Sequence, residues 1–181
     1  MKLVHRLTYK IATEPWEFEA IHRLNYNTFV NEIPQHAKNE NGILIDKFHN
    51  ENTYCIVLLG ERLVGMVCMR GNRPFSLDNR IANLDSYLPA NRKICEFRLL
   101  AVEKGFRNTK TTGKLFSLLA KQALALGYDC AIISGTTRQL KLYRHLGFVP
   151  FGLLVGSGDA LFQPMFLTLE AFEAHSGKMF R

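Results

Sequence analysis

The chain has 181 residues, 47% of them hydrophobic and 22% charged, and it carries a net charge of +7. Its length corresponds to about one domain of roughly 150 residues, and its composition excludes disordered, collagen-like and low-complexity classes. The basic excess favours an anionic partner, which leaves nucleic acid, a membrane surface, a phosphorylated cofactor and an acidic carrier protein open. Apolar runs such as Cys55–Leu59 are much shorter than the ~20 residues of a membrane span. The N-terminal segment contains Glu14, Glu17 and Glu19 and lacks the apolar block of a secretory signal.

The first half of the chain predicts a strand, a helix and a hairpin. Apolar spacing of Phe18, Ile21 and Leu24 defines one face of the helix, and Pro15 is tolerated in a first helical turn. In chain order we expect a strand at Leu7–Thr13, a helix from Glu14 to Pro34, a loop at Gln35–Gly42, and hairpin strands at Thr53–Leu59 and Arg62–Met69.

The second half alternates strands and helices. Gly127 and Gly147 are typical of helix ends, and Pro89 ends a short helix in the irregular stretch before it. In chain order we expect a short helix at Leu77–Leu88, a strand at Lys93–Val102, a turn at Glu103–Thr111, a helix at Thr112–Leu126, a strand at Tyr128–Ser134, a helix at Thr136–Leu146, and strands at Phe148–Val155 and Leu161–Leu169 around a turn at Gly156–Asp159. The alternation predicts a mixed α/β sheet with parallel neighbours at its centre and in its C-terminal half.

Cysteines and histidines argue against a disulfide framework and a metal site. Cys55, Cys68, Cys95 and Cys130 lie inside apolar segments without C-x-x-C spacing, so we expect buried, reduced thiols and a cytoplasmic protein. The six histidines show neither H-x-x-x-H nor H-E-x-x-H spacing, so we expect no metal.

The segment Leu100–Leu119 runs from a buried strand through a basic turn into a helix. The turn and the first helical positions carry Lys104, Arg107, Lys110 and Lys114. Free amides and the positive end of the dipole at a helix start bind phosphate, and the small or polar residues 108–113 let a pyrophosphate approach. A solvated basic turn is the alternative. A Walker motif is excluded, because Gly105 and Gly113 do not fit its spacing.

A second segment, Lys141–Gly152 (KLYRHLGFVPFG), leads from a helix end into a strand. Together, the two segments resemble the GNAT acyltransferase superfamily over residues 90 to 152. The superfamily pattern R-x-x-G-x-[GA] falls on 107–112, with Lys110 and Thr112 at the glycine positions, and Thr136 and Gln139 replace its next Asn and Ala. The resemblance implies an α/β fold with a mixed, mostly antiparallel central sheet, a parallel splayed strand pair and flanking helices, as one domain over residues 1–181.

The resemblance also implies the site residues. Tyr143 matches the general acid that protonates the departing thiolate, and a phenol of unperturbed pKa near ~10 is protonated at neutral pH. Glu96 is the candidate general base, with a structural ion pair to Arg98 as the alternative or an additional role. The donor would bind to the backbone of the strand end and to the amides of the following turn, which comprise Leu100, Ala101, Val102, Arg107, Asn108, Thr109, Lys110, Thr111, Thr112, Gly113 and Lys114.

Three short matches are similar to the branch of acyl-homoserine-lactone synthases and N-acyl amino acid synthases. Cys95–Val102 resembles its E-x-S-R-F-x-V strand, and Leu24–Glu32 resembles its L-R-Y-x-x-F-V-x-E helix, with Asn25 in place of Arg. Ile45–His49 resembles its L-D-x-x-D segment, with His49 in place of the second acid.

We therefore expect an N-acyltransferase that moves an acyl group from a thioester to a primary amine or amino acid. The donor is either acyl-CoA (acetyl-CoA included) or acyl-phosphopantetheine on an acyl carrier protein, and the charge suits both. The alternative is a degenerate, non-catalytic GNAT module that binds an acyl thioester, which the altered glycine positions favour. We expect no nucleic-acid partner, because no stacking platform or helix-turn-helix pattern is present. The sequence leaves the oligomeric state open.

Overall fold

The computed structural model describes residues 6–158 and 160–179, and these residues form eight strands and four α-helices. The strands are β1 (Leu7–Ile11), β2 (Thr53–Leu59), β3 (Arg62–Arg70), β4 (Ile94–Val102), β5 (Cys130–Thr136), β6 (Val149–Pro150), β7 (Val155–Ser157) and β8 (Ala160–Thr168). The helices are α1 (Pro15–Tyr26), α2 (Thr109–Ala125), α3 (Leu140–His145) and α4 (Leu169–Met179).

The strands form one sheet in the order β1-β2-β3-β4-β5-β8-β6, with β7 also paired to β8. β1 pairs antiparallel with β2, and β8 pairs antiparallel with β5, β6 and β7. β4 and β5 are parallel, but their ladder covers only Ile94–Glu96 against Cys130–Ile132. Within the described chain, β4 forms no ladder pair with β5 from Phe97 onward. The expected mixed, mostly antiparallel sheet with a splayed parallel pair and flanking helices is confirmed.

The chain divides into two compact units. The first contains the described residues of Met1–Cys68 and Leu99–Leu119, and the second those of Met69–Arg98 and Ala120–Arg181. The first unit has a core in which Ile21 of α1 packs with Tyr54, Ile56 and Met66 of the hairpin. The second has a core that includes Phe75, Leu77, Leu84, Leu88 and Ile132. The single domain over residues 1–181 stays a prediction.

Helix α1 begins with a capping box and ends in an irregular turn. Glu14 is the N-cap, Pro15 occupies the first turn, and the Glu17 carboxylate accepts the amides of Thr13 and Glu14 at 2.8 and 3.0 Å. After Tyr26 the chain continues as a π-helical turn, Asn27–Glu32, closed by a hydrogen bond from the Ile33 amide to the Thr28 carbonyl at 2.9 Å. The expected helix before Pro34 is therefore present, but its last turn is π-helical.

Two predicted elements are wrong. The expected helix at Leu77–Leu88 is a series of turns with one 3₁₀ turn at Leu84–Tyr87, because Asn83 adopts a φ of +55° that no α-helix contains. The expected strand at Phe148–Val155 is interrupted between β6 and β7, where Gly152 has a φ of +59°.

One boundary, the strand order and one helix also differ from the sequence-based expectation. The expected helix at Thr136–Leu146 shortens to α3, because Thr136 still belongs to β5 and Thr137–Gln139 form a 3₁₀ turn. In the C-terminal half, β5 and β6 are not neighbours as expected, because β8 lies between them and is antiparallel to both. Helix α4 was not predicted, and Asp159 of the predicted turn lies outside the described residues.

No helix in the described part of the chain has the length and apolar character needed to cross a membrane.

Candidate active site

In the first unit, the basic turn leads from β4 into α2. Lys104–Phe106 form a 3₁₀ turn, and α2 begins at Thr109, three residues earlier than the apolar pattern predicted. Lys104, Arg107, Lys110 and Lys114 are all exposed and lie in this turn or in the first two turns of α2, near the positive end of the helix dipole; Arg107 is paired with Glu32, and the Lys114 ammonium lies over the Tyr9 ring. This arrangement attracts an anion.

Asn108 determines which amides at the start of α2 remain available. Its side-chain oxygen accepts the Thr111 amide at 2.8 Å, as an N-cap residue does, and its carbonyl accepts the Thr112 amide at 3.1 Å. The amides of Thr109 and Lys110 precede the first intrahelical hydrogen bond and are the ones left to bind an anion. Thr111, Thr112 and Gly113 are buried, so the anion-binding stretch predicted over 108–113 is accessible only at its first three residues.

The Arg107 side chain binds protein groups on two sides. Its Nε donates to the Val102 carbonyl at 2.6 Å, and its Nη2 lies 2.9 and 2.7 Å from the two carboxylate oxygens of Glu32. The turn is therefore fixed to the end of β4 and to the π-helical turn after α1.

Strand β4 is irregular just before its predicted donor-binding residues. Leu99 has a φ of +56°, which is uncommon for a residue with a branched side chain and interrupts the regular alternation of a strand. Leu100 is half-buried, whereas Ala101 and Val102 are buried in the first unit.

In the second unit, Glu96 is a buried carboxylate with one unsatisfied oxygen. Its side chain is 2% exposed, and Oε1 accepts the Ser76 amide at 2.9 Å. Arg98 Nε lies 3.5 Å from Oε2, but Oε2 has no hydrogen-bond partner among the described residues. Burial raises the pKa of Glu96, while the hydrogen bond from Ser76 and the charges of Arg98 and Arg70 oppose the shift. The ion pair with Arg98 that was expected as an alternative or additional role is present, and it involves Oε2, the oxygen without a hydrogen-bond partner among the described residues.

Tyr143 is the buried residue of α3. Its hydroxyl donates to Gln139 Oε1 at 3.0 Å, and its ring contacts Phe148 edge-on at a centroid distance of 6.1 Å. Burial raises the pKa of the phenol, so Tyr143 is protonated at neutral pH. Gln139, where the GNAT pattern has Ala, thus supplies the acceptor for the proposed acid.

Hydrogen bonds join some of the predicted site residues to one another. Val102 and Arg107 share a hydrogen bond, as do Asn108 and Thr111, whereas no hydrogen bond among the described residues joins Glu96 to Tyr143. Sequence reasoning missed Ser76, because nothing in its local sequence shows the distant partner that it contacts. Glu32 was noted only as the last residue of the L-R-Y-x-x-F-V-x-E match, without its contact to Arg107.

Buried thiols exclude one kind of chemistry. All four cysteines are buried and none forms a disulfide, and burial raises the pKa of Cys55 to about 12 and that of Cys130 to about 11. A thiolate nucleophile is therefore not formed at neutral pH at these two positions. No group of three metal-ligating side chains occurs within the residues that the structure describes.

Comparison with known proteins agrees with this fold. A putative acetyltransferase of the GNAT family from Desulfovibrio desulfuricans superposes with a TM-score of 0.59 at 12% identity, covering 91% of this chain and 99% of that chain. The fold is that of a GNAT acyltransferase.

The chain belongs to the family of the N-acyl amino acid synthase FeeM, whose sequence pattern matches residues 20–155. The structure of FeeM, an N-acyl amino acid synthase from uncultured soil microbes, gives a TM-score of 0.73 at 20% identity and covers 94% of both chains. The CoA-dependent acyl-homoserine lactone synthase BjaI, solved with SAM and isopentyl-CoA, gives 0.71 at 18% identity, covering 96% of this chain and 88% of that chain. The branch expected from the sequence is confirmed. No curated protein matches the sequence.

Proposed function

We propose that this protein transfers an acyl group from an acyl thioester to the primary amine of an amino acid or related acceptor, by direct attack of the amine. The observation that carries the proposal is Glu96, a buried carboxylate with an unsatisfied oxygen on the strand that also holds the predicted donor-binding residues. Membership of the FeeM family supports the same reaction.

The donor would bind along the backbone of Leu100–Val102, with its phosphates at the start of α2. The amides of Thr109 and Lys110, together with the exposed side chains of Lys104, Lys110 and Lys114, supply the positive potential. Acyl-CoA and the phosphopantetheine of a carrier protein both carry phosphate, so this surface suits either donor. The solved structure of BjaI with isopentyl-CoA supports acyl-CoA as the first donor to test.

The acceptor must lose a proton before it attacks, because an ammonium group has no lone pair. Glu96 Oε2 accepts this proton, and its raised pKa brings the carboxylate closer to neutral pH, where a general base is most effective. The amine then attacks the carbonyl carbon to form a C–N bond and a tetrahedral oxyanion.

Collapse of this intermediate breaks the C–S bond. Tyr143 donates its proton to the departing sulfur, and the nitrogen loses a second proton as the amide forms. Tyr143 regains a proton afterwards, so the reaction releases the amide, the free thiol and one net proton to solvent. Because the raised pKa makes Tyr143 a weak acid, its hydrogen bond to the sulfur must strengthen as negative charge develops there.

A second candidate is a module that binds an acyl thioester without turnover. Lys110 and Thr112 stand at the glycine positions of the GNAT pattern, and Thr112 is buried, so fewer amides are exposed than the pattern provides.

The test combines the purified protein with acyl-CoA donors of increasing chain length and a panel of amines. The panel includes the natural amino acids and S-adenosylmethionine, since BjaI was solved with SAM. Thiol release is followed with a disulfide reagent, and the N-acyl product is identified by mass spectrometry. We expect amine-dependent thiol release. Binding of CoA without thiol release for any CoA or carrier-protein donor and any amine would establish the non-catalytic module instead.

A further inference from the structure

Glu32 makes a long-range contact that the proposed chemistry does not use. It is the last residue of the π-helical turn after α1, and both of its carboxylate oxygens contact Arg107, 75 residues further along the chain. The Glu32 side chain is 29% exposed and that of Arg107 39% exposed, so the pair is half-buried. Charge-assisted contacts of this kind fix the direction of a guanidinium group.

Arg107 passes this constraint to the strand end. Its Nε donates to the Val102 carbonyl at 2.6 Å, so one guanidinium group joins Glu32, the last residue of β4 and the turn before α2. Asn108, the next residue, caps α2 and leaves the amides of Thr109 and Lys110 available. The position of Arg107 therefore controls both backbone segments proposed to bind the donor.

The π-helical turn determines where Glu32 points. The turn contains one residue more per hydrogen bond than an α-helical turn, as the bond from the Ile33 amide to the Thr28 carbonyl shows. The wider turn therefore changes the direction in which Glu32, its last residue, projects from the helix axis. Single-turn π-helical segments occur frequently at functional sites, which agrees with a role for the residue that this one presents.

We propose that Glu32 is a positioning residue for donor binding, which acts by holding Arg107 between its own carboxylate and the Val102 carbonyl. The proposal rests on the proposed function, because it concerns the same donor site. Glu32 itself does not touch the donor. Its removal allows the turn to move and weakens donor binding, without affecting attack by the amine.

The structure provides a matched control in Glu103. Its side chain is also 29% exposed and is also paired with an arginine, Arg62, but that pair joins the turn to β3 and not to Val102. Glu32→Gln and Glu103→Gln therefore remove one carboxylate charge each from glutamates of equal exposure, although the arginine partners differ, with Arg62 63% and Arg107 39% exposed.

The test measures the dissociation constant of CoA by calorimetry, the KM values of donor and acceptor, kcat, and the midpoint of thermal unfolding. For Glu32→Gln we expect the Kd of CoA and the donor KM to rise about fivefold, the upper end for a half-exposed ion pair. The acceptor KM and kcat should change less than twofold, and Glu32→Asp should restore part of the affinity. Glu103→Gln should stay within twofold of the wild type in every binding constant.

Each contrary outcome has a separate meaning. Equal effects of Glu32→Gln and Glu103→Gln on CoA binding would overturn the positioning role. Tighter binding of CoA by Glu32→Gln would also overturn it, because Glu32 would then be competing with the donor for Arg107. A loss confined to kcat would overturn it as well. A wild-type protein that neither binds CoA nor releases thiol would overturn the proposed function and, with it, this inference.

Discussion

Gly135 lies where any larger residue would displace the proposed acid. A Cβ atom at this position would lie 2.9 Å from Cδ2 and 3.2 Å from Cε2 of Tyr143, and 3.3 Å from the sulfur of Met165. Favourable carbon–carbon contacts lie at about 3.5–4.0 Å, so Gly135→Ala forces the ring to move by several tenths of an ångström. Overpacking of this kind costs about 1–3 kcal/mol of unfolding free energy. The shifted hydroxyl also loses its position beside Gln139, and a misplaced catalytic group lowers kcat by about 10-fold or more.

A double-mutant cycle separates the clash from other effects of the methyl group. Unfolding free energies in urea are measured for Gly135→Ala, Tyr143→Ala and the double variant. Because Tyr143→Ala removes the ring, the added methyl group should cost less in that background, with a coupling of about 1–2 kcal/mol. Gly105→Ala is the stability control, since a Cβ there meets no atom within 4 Å. Additive free energies in the cycle, or full kcat in Gly135→Ala, would refute the reasoning.

Three other substitutions test the acid and the base directly. Tyr143→Phe removes the proton donor and should lower kcat by about 10²–10⁴-fold while the Kd of CoA is unchanged; a normal kcat would show that another group protonates the sulfur. For the wild type, kcat/KM should rise with pH through the pKa of Glu96, which burial places above the ordinary glutamate value. This rise should be absent in Glu96→Gln. The loss of kcat/KM in this variant should become smaller at high pH, because the amine then deprotonates in solution. Unchanged pH profiles would exclude Glu96 as the base. Gln139→Ala leaves the Tyr143 hydroxyl without its acceptor and should reduce the unfolding free energy in urea by about 1–3 kcal/mol without lowering kcat; a fall in kcat would instead assign Gln139 a positioning role.

The parts of the fold that sequence predicted are those in which local pattern and packing agree. The hairpin of β2 and β3 and the apolar strand β4 consist of β-forming residues that are mostly buried, so their composition alone indicates the strands. The irregular segment 71–93 is different, because its turns are set by Asn83 and by hydrogen bonds such as that from the Phe75 amide to Asp78. A helical spacing of apolar residues in that segment was therefore misleading.

In the candidate site, too, local sequence patterns indicated some residues and gave no sign of others. Glu96 and Tyr143 were predicted because a carboxylate in an apolar strand and a tyrosine near a helix end match a known pattern, and their catalytic roles stay predictions. The contact between Glu32 and Arg107 was not identified, since a pair 75 residues apart is joined only by the tertiary fold. The positive φ of Leu99 was likewise missed, because leucine carries no sequence signal for that conformation.

Burial gives the two proposed catalytic groups their different tasks. It raises the pKa of both groups, but the consequences are opposite because Tyr143 acts as the protonated form and Glu96 as the charged form. For Tyr143, a higher pKa ensures that the proton is present whenever a thioester arrives. For Glu96, the same shift would remove the base if nothing opposed it, and Arg98, Arg70 and the Ser76 amide do oppose it. Replacing Arg98 with an uncharged residue should therefore shift the acid limb of the kcat/KM profile to higher pH than in the wild type. A purely structural role of this arginine would not shift that limb.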